Sequence, residues 1–81
     1  MNVQVLLFAQ ARESAGAPRL ALALAPGSRV RDALDALERE HPALAALRPH
    51  LAVAVNGTLA RADAPVPDGA ELALLPPVSG G

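Results

Sequence analysis

The chain is 81 residues long, with seven basic and eight acidic side chains and a net charge of -1. That length allows one domain, in which only ~60–65% of the unfolded surface is buried on folding. Seven dispersed arginines and a single aromatic ring, Phe8, lack the basic face and stacking platform that nucleic acid requires. There is no cysteine, which removes disulfides, thiolate ligands and a thiol nucleophile together. His41 and His50 have no carboxylate pattern around them, so a metal site is not expected and both read as solvated loop residues. No apolar run approaches the ~20 residues of a membrane span, and the amino end lacks the charged flank and cleavage pattern of a signal peptide. The expectation is a soluble cytoplasmic protein. Every basic residue is an arginine and none is a lysine. The abundant alanine and proline attribute this to nucleotide composition, yet it leaves the α-amino group of Met1 as the only primary amine in the sequence.

Asn2 to Phe8 alternates, with Val3, Val5 and Leu7 on one face and Gln4, Leu6 and Phe8 on the other, and predicts a first strand. Ala9 to Gly16 suits two helical turns stopped by glycine, with Pro18 limiting any continuation. Arg19 to Ala25 alternates leucine and alanine, so a second strand is predicted with Leu20, Leu22 and Leu24 inward. Periodicity outweighs the modest strand propensity of those residues. Pro26-Gly27 breaks the strand and Ser28 is placed to cap a helix. From Arg29 to about Glu40, Val30, Ala33, Leu34 and Leu37 recur at helical spacing. The charged residues take the wet side, where Asp35 and Arg39 are spaced for a solvated ion pair.

His41-Pro42 ends that helix, and a short turn packed on the core is expected over Ala43 to Leu47. Leu51 to Val55 predicts a strand with Leu51, Val53 and Val55 inward, and Asn56-Gly57 is a strong two-residue hairpin signal leading to a short return strand, Thr58 to Ala60. A polar loop follows, closed by Pro67-Asp68-Gly69. The last strand runs over Ala70 to Leu75 with Leu72 and Leu74 inward. This order predicts an α+β fold, a mixed sheet of about five strands with one main helix on one face. It is the β-grasp, or ubiquitin-like, arrangement, with a domain over residues 1–75 and an extended tail over 76–81, and the last strand is expected to bring the chain end to one edge.

Two features carry function. The first is the end, Pro76-Pro77-Val78-Ser79-Gly80-Gly81. Two glycines lack Cβ atoms and pass through a channel that excludes other pairs, while the prolines favour an extended, projecting segment. The group presented is the carboxylate of Gly81; the alternative is an inert glycine-rich terminus. The second is the set of outward apolar side chains, Phe8, Leu59 and Leu75, which lie on the phase opposite the core leucines. On neighbouring strands they form a patch at the root of the tail, and such patches mark partner surfaces; the alternative is a shifted register or scattered surface residues.

With these parts assembled, the chain resembles the small subunit of molybdopterin synthase, the MoaD family of ubiquitin-like sulfur carriers. The resemblance spans the whole length. It is carried by Val5-Leu-Leu-Phe-Ala-Gln-Ala-Arg-Glu-Ser-Ala-Gly16, Val55-Asn-Gly-Thr-Leu59, Asp68-Gly-Ala-Glu71 and the Pro76-to-Gly81 end. Leucine stands at 74 and 75 where relatives often carry phenylalanine. The resemblance implies that Gly81 is adenylated with ATP by a ubiquitin-activating-like adenylyltransferase and converted to a thiocarboxylate. Pro77, Val78, Ser79 and Gly80 then insert with it into the large catalytic subunit, in a heterotetramer of two small and two large subunits, where sulfur passes to cyclic pyranopterin monophosphate in molybdenum cofactor biosynthesis. The small subunit binds no cofactor of its own, and is a co-substrate whose catalytic residues lie on the large subunit.

The chemistry suits that division of labour. An α-carboxyl with a pKa of ~3.3–3.7 is ionised at neutral pH and is a poor electrophile. Activation as a mixed anhydride makes it replaceable by sulfur, and the resulting anionic sulfur needs only positioning and charge stabilisation from elsewhere. Arg12 and Glu13 match the front motif, either pinning the short helix, which is the preferred reading, or orienting a partner. A sulfur carrier for thiamine synthesis and a ubiquitin-like protein modifier share the tail chemistry and stand as alternatives, as does a plain interaction domain with an inert end.

Overall fold

The computed structural model describes residues 1–76. β1 (Asn2–Leu7) buries Val3, Val5 and Leu7, and the alternation is as the sequence predicts. It ends one residue earlier than predicted. Phe8 is still extended, but Ala9 takes a φ of 49° and turns the chain into α1 (Ala9–Ala15), which leaves Phe8 as the cap position of a helix rather than a strand residue. Gly16 closes α1 with a φ of 78°, its N–H donating to the Arg12 carbonyl at 2.9 Å, a conformation that costs a residue with a Cβ ~1–2 kcal/mol.

β2 (Arg19–Ala23) is two residues shorter than its pattern, although Leu24 remains buried. Leu22 is buried and Leu20 half-buried, with Ala21, Ala23 and Ala25 exposed. α2 (Val30–Glu40) buries Val30, Ala33 and Leu37 and half-buries Leu34. Its cap differs from expectation. The cap position is Arg29, and Ser28 turns back instead, its hydroxyl donating to the Ala25 carbonyl at 2.7 Å. Asp32, three residues into the helix, accepts from the Arg29 N–H at 2.8 Å. Only this half of a capping box forms, because a guanidinium has no acceptor to offer in return.

Two 3₁₀ turns follow, Pro42–Ala46 with Leu44 buried, and Arg48–His50. The second organises α2. The Arg48 guanidinium donates to Asp35 at 2.6 Å and to Glu38 at 3.2 Å, and these bonds, that to Asp35 foremost, hold its pKa above the ordinary arginine value. Asp35 is thus engaged by a residue thirteen positions away and not by Arg39. β3 (Ala52–Val55) and β4 (Thr58–Ala60) form the hairpin through Asn56, φ 50°, and Gly57, φ 85°. Two positive φ values in succession define the turn that Asn-Gly favours. Asn56 also leaves the hairpin, its side-chain oxygen accepting from the Glu71 N–H at 2.9 Å.

β5 (Glu71–Leu75) buries Leu72 and Leu74 completely. The sheet order is β2-β1-β5-β3-β4, with β1 and β5 parallel and every other pair antiparallel. β5 is therefore the central strand, and the chain end leaves from one end of the sheet's middle, not from a sheet edge as expected. The core lies between this sheet and α2, and also takes in Leu44, Val66 and Ala70. A mixed five-stranded sheet around one main helix is the β-grasp. No helix among the described residues is long and apolar enough to cross a membrane.

Candidate functional site

The candidate site is the face of the sheet turned away from α2, together with the end of β5. Residues directly opposite in paired strands share a face, with strands ~4.8 Å apart. Leu6 stands beside Ala73, Ala73 beside Ala54, and Ala54 beside Leu59, so one apolar row crosses four strands. The next row sets Leu75 beside Ala52. Phe8, following Leu7, which pairs with Leu74, comes level with Leu75 at the same end. The row on the far side is polar, with Gln4 beside Glu71. The apolar half of the face is therefore the half nearest the point where β5 ends.

Among the described residues Phe8 and Leu59 are the large apolar side chains left exposed, at 44% and 69%, and Leu75 is half-buried. The register thus brings Phe8 and Leu75 together. Leu59 lies two strands from Leu75 and one row down, at a separation of about 12 Å by strand geometry. Leu59 also lines an open apolar groove of about 560 Å³ bounded by Val30, Leu34, Pro49, Leu51 and Ala60. No sequence pattern announces this groove, because its walls come from α2, the second 3₁₀ turn and the hairpin.

Arg12 and Glu13 are both exposed, and neither side chain makes a hydrogen bond or ion pair with another described residue. They do not pin α1. That helix is fixed by buried Ala11 and by the Gly16 cap. Asn56 and Gly57 are turn residues as expected, with the added bond from Asn56 to β5. Of the predicted tail, Pro76 is described, and Pro77, Val78, Ser79, Gly80 and Gly81 lie outside the described residues.

The fold and this face define a ubiquitin-like β-grasp protein with an apolar surface at the root of its C-terminal segment. Residues 5–81 match the ThiS family, and the chain belongs to it. It is 40% identical to the molybdopterin synthase sulfur carrier subunit of Arabidopsis thaliana over 81 residues, all of this chain and 84% of that protein. It is 41% identical to small archaeal modifier protein 1 of Haloferax volcanii over 83 aligned positions, covering 93% of this chain and 95% of that one. A crystal structure of the latter superposes with a TM-score of 0.89 at 37% identity over the whole of both chains. A Helicobacter pylori complex of subunits 1 and 2 of molybdopterin-converting factor contains a chain matched at a TM-score of 0.71 and 27% identity, again over the whole of both chains.

Proposed function

We propose that this chain is a sulfur carrier and the small subunit of molybdopterin synthase, with the Gly81 carboxylate as the atom bearer. The observation that carries this reading is the 40% identity to a protein of that name over every residue of the chain. The solved complex of two converting-factor subunits supports a larger subunit as partner. The apolar rows through Leu6, Ala73, Ala54 and Leu59, with Phe8 and Leu75 beside them, supply the docking face. Pro77 to Gly80 enter the partner and carry Gly81 to its acceptor.

In this reading an adenylate-forming partner spends ATP to convert the Gly81 carboxylate to an acyl-adenylate, sulfur displaces AMP, and the thiocarboxylate delivers sulfur to cyclic pyranopterin monophosphate inside the large subunit. In this reading the bases and anion-binding groups that turnover requires are supplied by the partners. Intact mass spectrometry of the chain from a host with the pathway is the test. A species with one oxygen exchanged for sulfur, localised to Gly81 by fragmentation and lost after incubation with large subunit and pterin, is expected. Full cofactor synthesis from a chain extended by one residue after Gly81, without trimming, overturns the reading.

A second reading rests on the 0.89 TM-score superposition on small archaeal modifier protein 1. Here the same activated Gly81 is transferred to lysines of other proteins. Isopeptide-linked conjugates in extracts, absent when Gly80 and Gly81 are deleted, distinguish it from transfer of sulfur alone.

A further inference from the structure

We infer that the chain is a donor only: once Gly81 is activated, its acyl group passes to a partner and not to another copy of the same chain. This rests on the activation of Gly81 proposed above. An acyl-adenylate is captured by any unprotonated primary amine. The nitrogen lone pair adds to the Gly81 carbonyl carbon, the bond to the phosphate oxygen breaks, AMP leaves with the electron pair, and the nitrogen releases a proton to give an amide. Lysine is the usual amine on a protein surface, and all seven basic side chains here are arginines. A guanidinium is protonated at every working pH and has no lone pair to offer. The absence of cysteine closes the corresponding thioester route.

What remains in the sequence is the α-amino group of Met1, and the fold occupies it. It donates to the Leu24 carbonyl at 2.6 Å, while the Leu24 N–H donates back to the Met1 carbonyl at 2.8 Å, and Met1 is half-buried. This reciprocal pair extends the β1–β2 ladder and holds the amine against the sheet, half covered, instead of on a free chain end. The parallel pairing of β1 with β5 adds distance. Gln4 lies beside Glu71 and Leu7 beside Leu74, which puts Met1 at the end of the sheet where β5 begins and the root of the tail at the opposite end. Seven residue steps from Met1 to the level of Leu75 span about 23 Å. From that same level, residues 76–81 reach at most ~22 Å even if fully extended. A chain's own amine is thus beyond its own Gly81, and an amine of another copy is engaged in its ladder. If the acceptors are lysines of other proteins, the same inventory limits modification to single units.

Arg61→Lys supplies the missing acceptor. Val53 pairs with Ala60, which brings exposed residue 61 level with Ala52, the partner of Leu75, two strands or about 10 Å from the tail root. Both proteins are incubated with the adenylate-forming enzyme and ATP, with and without hydroxylamine, and read by intact mass and peptide mapping. Both should give the Gly81 hydroxamate with hydroxylamine. Without it, the unaltered chain should stay monomeric and uncrosslinked. Arg61→Lys should form at least ~10-fold more amide, as cyclised monomer or dimer, since a tethered amine has an effective concentration of order mM. A hydroxamate together with equal amide from both chains, or with linkage through the Met1 nitrogen, overturns the inference while leaving activation of Gly81 standing. Absence of the hydroxamate overturns both.

Discussion

Leu59→Thr separates binding from folding. Leu59 is 69% exposed on the short outer strand β4, and threonine supplies the β-branched shape that a strand accepts while removing apolar surface. Burying a whole leucine is worth ~1.5–3 kcal/mol, so covering the exposed two-thirds against a partner contributes about 1–2 kcal/mol. That corresponds to a rise in Kd of about 5- to 30-fold. The free protein should barely notice, since surface substitutions of this kind stay within ~0.5 kcal/mol. For 81 residues the unfolding entropy is about 170 cal/mol/K, so the melting temperature should move by no more than ~3 °C. Isothermal titration into the large subunit gives the first quantity and a thermal melt the second. An unchanged Kd with an unchanged melt removes Leu59 from the interface, and a melt lowered by ten degrees or so shows the residue to be core.

Leu72→Ala is the opposite case. Leu72 is fully buried on the central strand, and the substitution should cost ~2–5 kcal/mol, comparable to the whole stability of a domain this small, as read by urea denaturation. Asn56→Ala gives up the bond to the Glu71 N–H and places a Cβ at a φ of 50°, so a loss of ~1.5–3 kcal/mol is expected, with Asn56→Asp recovering part of it through the retained acceptor. Arg48→Met breaks two partly exposed ion pairs, and should cost no more than ~1 kcal/mol at low salt and fade in concentrated NaCl. Because the Arg48 pKa is raised on folding, its contribution is complete below the unfolded value and lost only as pH rises through the higher folded one, so this ionisation leaves stability flat between about pH 6 and 9.

Much of this fold is written in periodicity. Val3, Val5, Leu7, Leu72 and Leu74 alternate because each strand buries one face, and Val30, Ala33 and Leu37 recur because α2 buries one stripe. Asn56-Gly57 announces its turn through backbone chemistry alone. Features made by tertiary contact left no such mark. Val66 sits in an irregular loop and is buried with no repeat to reveal it. Asp35 has Arg39 one turn along its own helix, yet the fold delivers Arg48 to it. Ser28 has the side chain of a cap, but its hydroxyl reaches the Ala25 carbonyl exposed by the turn behind it. The outward phase of Leu59 and Leu75 was legible. That Phe8 joins them from a helix cap depended on the backbone at Ala9.

The side-by-side pairing of β1 with β5 means that the first described strand waits for the fifth. Until Leu72 and Leu74 have emerged from the ribosome, Val3, Val5 and Leu7 have no neighbour on that flank, and the hairpin of β3 and β4 has nothing to join it to the rest of the sheet. A chain that stops before Glu71 therefore lacks the strand that closes its own core. The topology thus makes β5 the strand on which the two halves of the sheet depend: without Leu72 and Leu74, β2-β1 and β3-β4 are separate hairpins with no shared core.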